Sequence, residues 1–111
     1  MENPPFTALP PAIESFADSI VIPVYTPTTT GALLSASLAA DGRDVVVRLD
    51  DQPEPVARWS INGAADASVF VGLEAGFHLL TLTLDPPCVI SPDPTLVCRQ
   101  VSVARLSLEK G

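Results

Sequence analysis

From Gly31 onward the apolar side chains recur at every second position, a period that fits half-buried strands and not helices. In GALLSASLA, Leu34, Ala36 and Leu38 share one face. In DVVVRLD, Val45, Val47 and Leu49 face one way, with Val46 and Arg48 opposite. Trp59 and Ile61 alternate with Arg58 and Ser60, and Val69, Val71 and Leu73 form the next set. FHLLTLTL places His78, Leu80, Leu82 and Leu84 in phase. The final run changes phase, from Val101 and Val103 to Ala104, Leu106 and Leu108, which predicts a β-bulge near Val103.

The residues between these runs are turn formers. Asp41-Gly42, between two alternating runs, is a hairpin signal, Asn62-Gly63 ends another strand, and Glu74-Ala75-Gly76 offers a tight corner in which glycine can take positive φ. Strand signals thus recur at roughly 10-residue spacing, as in a sandwich or barrel. Residues 1–30 differ from this pattern. They hold six of the 12 prolines and the tract TPTTTG, a composition hostile to helix interiors and central strands. The reading is an all-β domain over residues 31–111, of about seven strands, behind an extended proline-rich arm over residues 1–30. Within the arm, SIVIPVY can pair as an edge strand, the one place that tolerates Pro23.

The corner VGLEAGFHLLTLTL carries a resemblance. Leu73, Gly76, His78, Leu80 and Leu82 follow the pattern L-x-x-G-x-H-x-L-x-L. This is similar to the turn from the fifth to the sixth strand in bacterial and viral immunoglobulin-like domains of the fibronectin-III or E-set kind. Arg58 to Gly63, with an inward Trp59, resembles the third-strand region of such domains. The resemblance spans about residues 33–108 and implies an immunoglobulin-like β-sandwich. Its core is expected to include Trp59, Ile61, Leu73, His78, Leu80 and Leu82. Fold alone assigns no function.

Charge excludes some partners. Six basic residues against 13 acidic ones give a net charge of -7, and no basic cluster exists to neutralise phosphates. Neither nucleic acid nor an anionic membrane is an expected partner. With 111 residues the chain suffices for one domain, and each half would be too small to bury its own core. The first 16 residues lack a basic residue and a long apolar run, so no secretory signal is expected there. Cys88 and Cys98 bracket a proline-stiffened segment, and their spacing suits a disulfide that closes a loop. Two reduced, buried thiols are the alternative. Zinc would lack ligands, and no metal or cofactor is expected.

Catalytic constellations are weak. His78 is the single histidine, and its phase with Leu80 points to a corner residue that hydrogen-bonds backbone across the bend. Asp41, Asp44, Asp50, Asp51, Asp85 and Asp93 read as solvated turn carboxylates, since no run of alternating aspartates provides converging calcium ligands. No serine lies in a nucleophile elbow. The expectation is a protein that is not an enzyme. Phe70, Phe77 and Leu79 fall in the outward phase, so they either form an exposed patch for a protein partner or lie beneath the arm. In the arm, Phe6, Leu9, Ile13 and Phe16 supply apolar groups that must bury on the sandwich or on a partner.

A signal-less sandwich with an arm and a disulfide fits a structural protein of a virus particle. A bacteriophage capsid decoration or cementing subunit, or another virion accessory subunit, made in the host cytoplasm, would dock on the major capsid protein or other virion subunits as a homo-oligomer or in multiple copies. Its partner-binding residues would be those of the arm and the outward patch. The competing reading is an extracellular or periplasmic immunoglobulin-like binding or adhesion module.

Overall fold

The computed structural model describes residues 5–16, 19–85 and 101–110. The expected disulfide between Cys88 and Cys98, and Asp93, lie outside the described residues. The elements are β1 (Thr7–Ala8), β2 (Ser15–Phe16), β3 (Ser19–Thr26), β4 (Thr30–Leu49), β5 (Ala57–Leu73), β6 (Gly76–Asp85) and β7 (Val101–Lys110), all paired antiparallel. No helix occurs among the described residues.

The long β4–β5 ribbon organises everything else. Its two strands pair over almost their whole length, from Thr30↔Leu73 to Val47↔Ala57. A straight strand of 20 residues would span about 65 Å. Thr30 lies opposite Leu73, whereas Leu49 lies opposite Leu80, only seven residues further along the chain. Seven residues reach at most about 25 Å. The ribbon must therefore fold over on itself. It does so where pairing slips between Ala40↔Gly63 and Arg43↔Ile61, with Gly42 at φ 68° and Gly63 at φ 88°. Asp41-Gly42 is thus not the hairpin turn that its composition predicts, and Asn62-Gly63 does not end a strand, since β5 runs through it. They face each other as a double kink, because the same positive-φ residues that reverse a chain also bend a paired ribbon.

Folding the ribbon creates two sheets. In sheet I the second half of β4 pairs with β6, which pairs with β3 and then β1. In sheet II the first half of β4 pairs with β7, which pairs with β2. The inward residues of both sheets meet in one core: Leu34, Ala36, Val71 and Leu108 from sheet II, and Ile22, Val45, Trp59, Leu80 and Leu82 from sheet I. The molecule is a β-sandwich. The phase change in the last strand is a bulge at Ala104, where pairing passes from Ser37↔Arg105 to Leu38↔Val103.

The segment read as an extended arm is built into the sandwich over its described residues. Ile20, Ile22 and Val24 of β3 belong to the core, and β1 and β2 extend the edges of sheets I and II respectively. The alternation of three β-branched residues outweighs the proline content, because burying them stabilises more than Pro23 costs, even though β1 pairs outside β3 and takes the edge position expected for it. Pro23 sits where it does no harm. Its carbonyl accepts the Leu9 N–H at 3.0 Å, so its backbone faces β1 and its missing N–H removes no bond to β6.

Candidate ligand-binding faces

Because the inward residues of both sheets meet in one core, their outward residues point to opposite sides of the sandwich. Phe77 and Leu79 project from sheet I and Phe70 from sheet II, so the single patch expected of these three does not exist.

On sheet I the outward groups satisfy one another. Tyr25 and Phe77 are cross-strand partners with ring centroids 4.9 Å apart and planes tilted by 55°. With Leu9 and Pro23 they line a small apolar cleft. At the far end, Arg58 Nη1 donates to Asp44 Oδ2 at 2.9 Å and to Asp85 Oδ2 at 2.8 Å. Reaching Asp85 carries the Arg58 side chain from β5 across β4, over Val46, which is buried although it faces outward. The Arg58 hydrogen bond holds the Asp44 carboxyl below the ordinary carboxylate value, and Asp85 and then Asp44 hold the guanidinium above its own.

Where β4 ends, Asp50 replaces the missing ladder. Its N–H donates to the Leu79 carbonyl at 2.9 Å, and its Oδ1 accepts the Leu79 N–H at 2.8 Å. Its Oδ2 lies 2.5 Å from His78 Nδ1, and His78 Nε2 lies 2.5 Å from the Glu74 carbonyl. Both ring nitrogens therefore face acceptors, which favours the imidazolium. Burial works against the charge, but the Asp50 and Glu74 hydrogen bonds outweigh it, and the net effect raises the His78 pKa. His78 shares the inward phase of Leu80 yet lies at the end of the core rather than within the hydrophobic cluster, since a charged ring needs these acceptors.

Sheet II differs. Its outward face carries three cross-strand rows over β7, β4 and β5: Glu109–Leu33–Phe70, Ser107–Ser35–Ser68 and Arg105–Ser37–Asp66. Phe70 is 64% exposed. Its ring leans across β4 until its far end rests over Gly31, where a Cβ would overlap the ring. Beside it lies a cleft of about 200 Å³ lined by Ser35, Asp66, Ser68 and Arg105. Ser37 donates to Asp66 Oδ1 at 2.7 Å, leaving the second carboxylate oxygen and the neighbouring hydroxyls with hydrogen-bonding capacity. An apolar ring beside this polar row offers stacking together with directed hydrogen bonds.

Of the residues predicted to bind a partner, Leu9, Phe70, Phe77 and Leu79 are exposed and belong to different faces. Phe6 and Ile13 are half-buried against the core, and Phe16 is only 6% exposed, so Phe16 is core and not a docking group. Trp59, Ile61, Leu73, Leu80 and Leu82 are buried core residues. The serine rows, Asp66 and Arg105 escaped the sequence reading. Alternation marks them as outward, but only the register puts them side by side.

No family model matches the chain, and no curated protein matches it in sequence. Solved structures share its fold. A carbohydrate-binding module from Cellvibrio mixtus lichenase 5A, solved with cellotriose, is 12% identical with a TM-score of 0.55, over 96% of this chain and 87% of that one. A family 35 carbohydrate-binding module from Clostridium thermocellum is 13% identical with a TM-score of 0.50, over 91% and 86%. A ruminal endo-β-1,4-mannanase of family GH26 is 9% identical with a TM-score of 0.56; 88% of this chain corresponds to only 19% of that one. The chain thus spans about a fifth of the mannanase it resembles. These likenesses establish the sandwich and lend nothing to the immunoglobulin or viral subtype. Neighbours of this kind, rather than capsid or tail subunits, overturn the reading as a virion structural protein with capsid partners.

Proposed function

We propose that this chain is a non-catalytic carbohydrate-binding module that holds a polysaccharide on the outer face of sheet II. The observation that carries the reading is the exposed Phe70 ring over Gly31, bordered by the serine and aspartate rows. Sugars present apolar C–H faces and a rim of hydroxyls, and this surface matches both with a π-face and fixed polar groups. The fold likeness supports it, since the compared modules bind carbohydrate. A binding role also accords with His78, whose ring nitrogens are both engaged, and with Asp44 and Asp85, which share one guanidinium. The expected working place is outside the cytoplasm, where polysaccharides occur.

Affinity electrophoresis in gels containing β-1,4-mannan or β-1,4-glucan tests the proposal. Retardation of the wild type that is lost in Phe70→Ala is the expected result. Equal retardation of both proteins, or no retardation by either polymer, overturns it.

A further inference from the structure

The cleft beside Phe70 does not end at the edge of the serine rows. Arg105 lines it and also lines a second cleft of about 500 Å³, between Pro10, Pro11, Ile13 and Glu14 on one side and the β7 bulge on the other. The bulge at Ala104 sets the direction of Arg105, because an extra residue in one strand re-aims the side chains beside it. It also fixes the far wall: the Val103 N–H donates to the Glu14 carbonyl at 2.7 Å, which ties the N-terminal segment to the bulge. The two clefts therefore meet at one side chain. Resting on the proposed carbohydrate-binding role, we infer that the sheet II groove binds an internal stretch of a neutral oligosaccharide, at least three sugars long, with Arg105 as the residue that determines chain-length specificity.

Length follows from spacing. Phe70 on β5 lies opposite Leu33 and Arg105 on β7 opposite Ser37. The groove between them therefore crosses two strand intervals and runs four residues along β4, about 16 Å, and the second cleft extends it further. A single sugar on Phe70 would leave Arg105 without a role, whereas a chain crossing the strands reaches it. Arg105 is exposed and makes no ion pair among the described residues, in contrast to Arg58, which is held by two carboxylates. Its five N–H donors are available to sugar oxygens.

Neutrality follows from charge. Arg105 is accompanied on the groove by Asp66, Glu14 and Glu109, so the local balance is acidic, as is the chain at -7. A polyuronate would meet net repulsion at every approach. Hydroxyls do not, and an acidic acceptor row facing a guanidinium donor suits their dual donor and acceptor character.

Isothermal titration with β-1,4-linked manno- and gluco-oligosaccharides, from mono- to hexasaccharide, is the test, with the full chain and the variants Arg105→Ala and Phe70→Ala. The expected wild-type affinity climbs through at least the trisaccharide, while polygalacturonate gives no heat. Arg105→Ala should remove the gain from added length, at least tenfold for the hexasaccharide, and leave the shortest bound ligand unaffected. Phe70→Ala should abolish binding at every length. If affinity is flat with length, if polygalacturonate binds better, or if Arg105→Ala is silent while Phe70→Ala abolishes binding, the groove inference fails and the module reading stands. If Phe70→Ala binds as wild type does, the reading itself fails.

Discussion

The two outer faces of the sandwich are made by the same period-two alternation, yet they are finished differently. On sheet I, Arg58 is engaged by Asp44 and Asp85, Asp50 by His78 and Leu79, and Phe77 by Tyr25. On sheet II, the serines, Asp66 and Arg105 stand beside an exposed ring with hydrogen-bonding capacity to spare. A face whose polar groups are mutually satisfied gains little from a ligand, since each new bond would replace an existing one. A face with idle donors and acceptors beside a π-surface gains the full benefit. Exposure alone would point to sheet I, because Phe77 at 83% is more exposed than Phe70 at 64%.

The comparison can be broken at its foundation. Both faces stand on one core, so a lesion in that core should disable both together. Trp59→Ala should cost about 3–5 kcal/mol, the usual range for a buried aromatic, measured by denaturant unfolding. A loss under about 1 kcal/mol would show that the faces do not share the core described.

The fold-over that sets the faces back to back is the next target. Gly63 sits at φ 88°, so Gly63→Ala should destabilise by about 1–2 kcal/mol from backbone conformation alone. Gly72→Ala, at a glycine with open space and no positive φ, is the control and should be close to neutral. Equal effects would remove the special role of the kink.

Sharpening the contrast between faces needs ligand binding. Gly31→Ala would displace the Phe70 ring and should weaken polysaccharide binding about tenfold, or about 1.4 kcal/mol, with little change in stability. Phe77→Ala should leave binding unchanged. Reversal of these two outcomes in a binding titration would move the site to sheet I.

The smallest effect concerns pH. The folded state raises the His78 pKa above its ordinary 6.5, so it binds this proton more tightly than the unfolded chain does. The contribution to stability is then complete below about pH 6.5 and is lost as pH rises through the folded value. Since His78 is the single histidine, one imidazole resonance reports the titration without assignment. A midpoint at or below 6.5, or an unchanged pH dependence of melting in His78→Gln, would discount the Asp50–His78 contact.

Strand identity and inward phase are legible in the chain itself. Leu34, Val45, Trp59, Leu80 and the bulge in the last strand follow from alternation, because the side-chain direction of a strand is a local property. What alternation cannot state is which strand lies beside which. That choice made core out of Ile20, Ile22 and Val24, which read as part of an arm, and turned a hairpin signal and a strand end into one kink. Glycine and asparagine report the backbone angles a position tolerates; whether those angles reverse a chain or bend a ribbon depends on partners tens of residues away. Phe70 and Phe77 are alike in sequence, outward on strands that are consecutive in the chain. Only the folding of the β4–β5 ribbon put them on opposite sides, and only strand register gave Phe70 its serines, Asp66 and Arg105, because cross-strand neighbours are set by pairing and not by proximity along the chain.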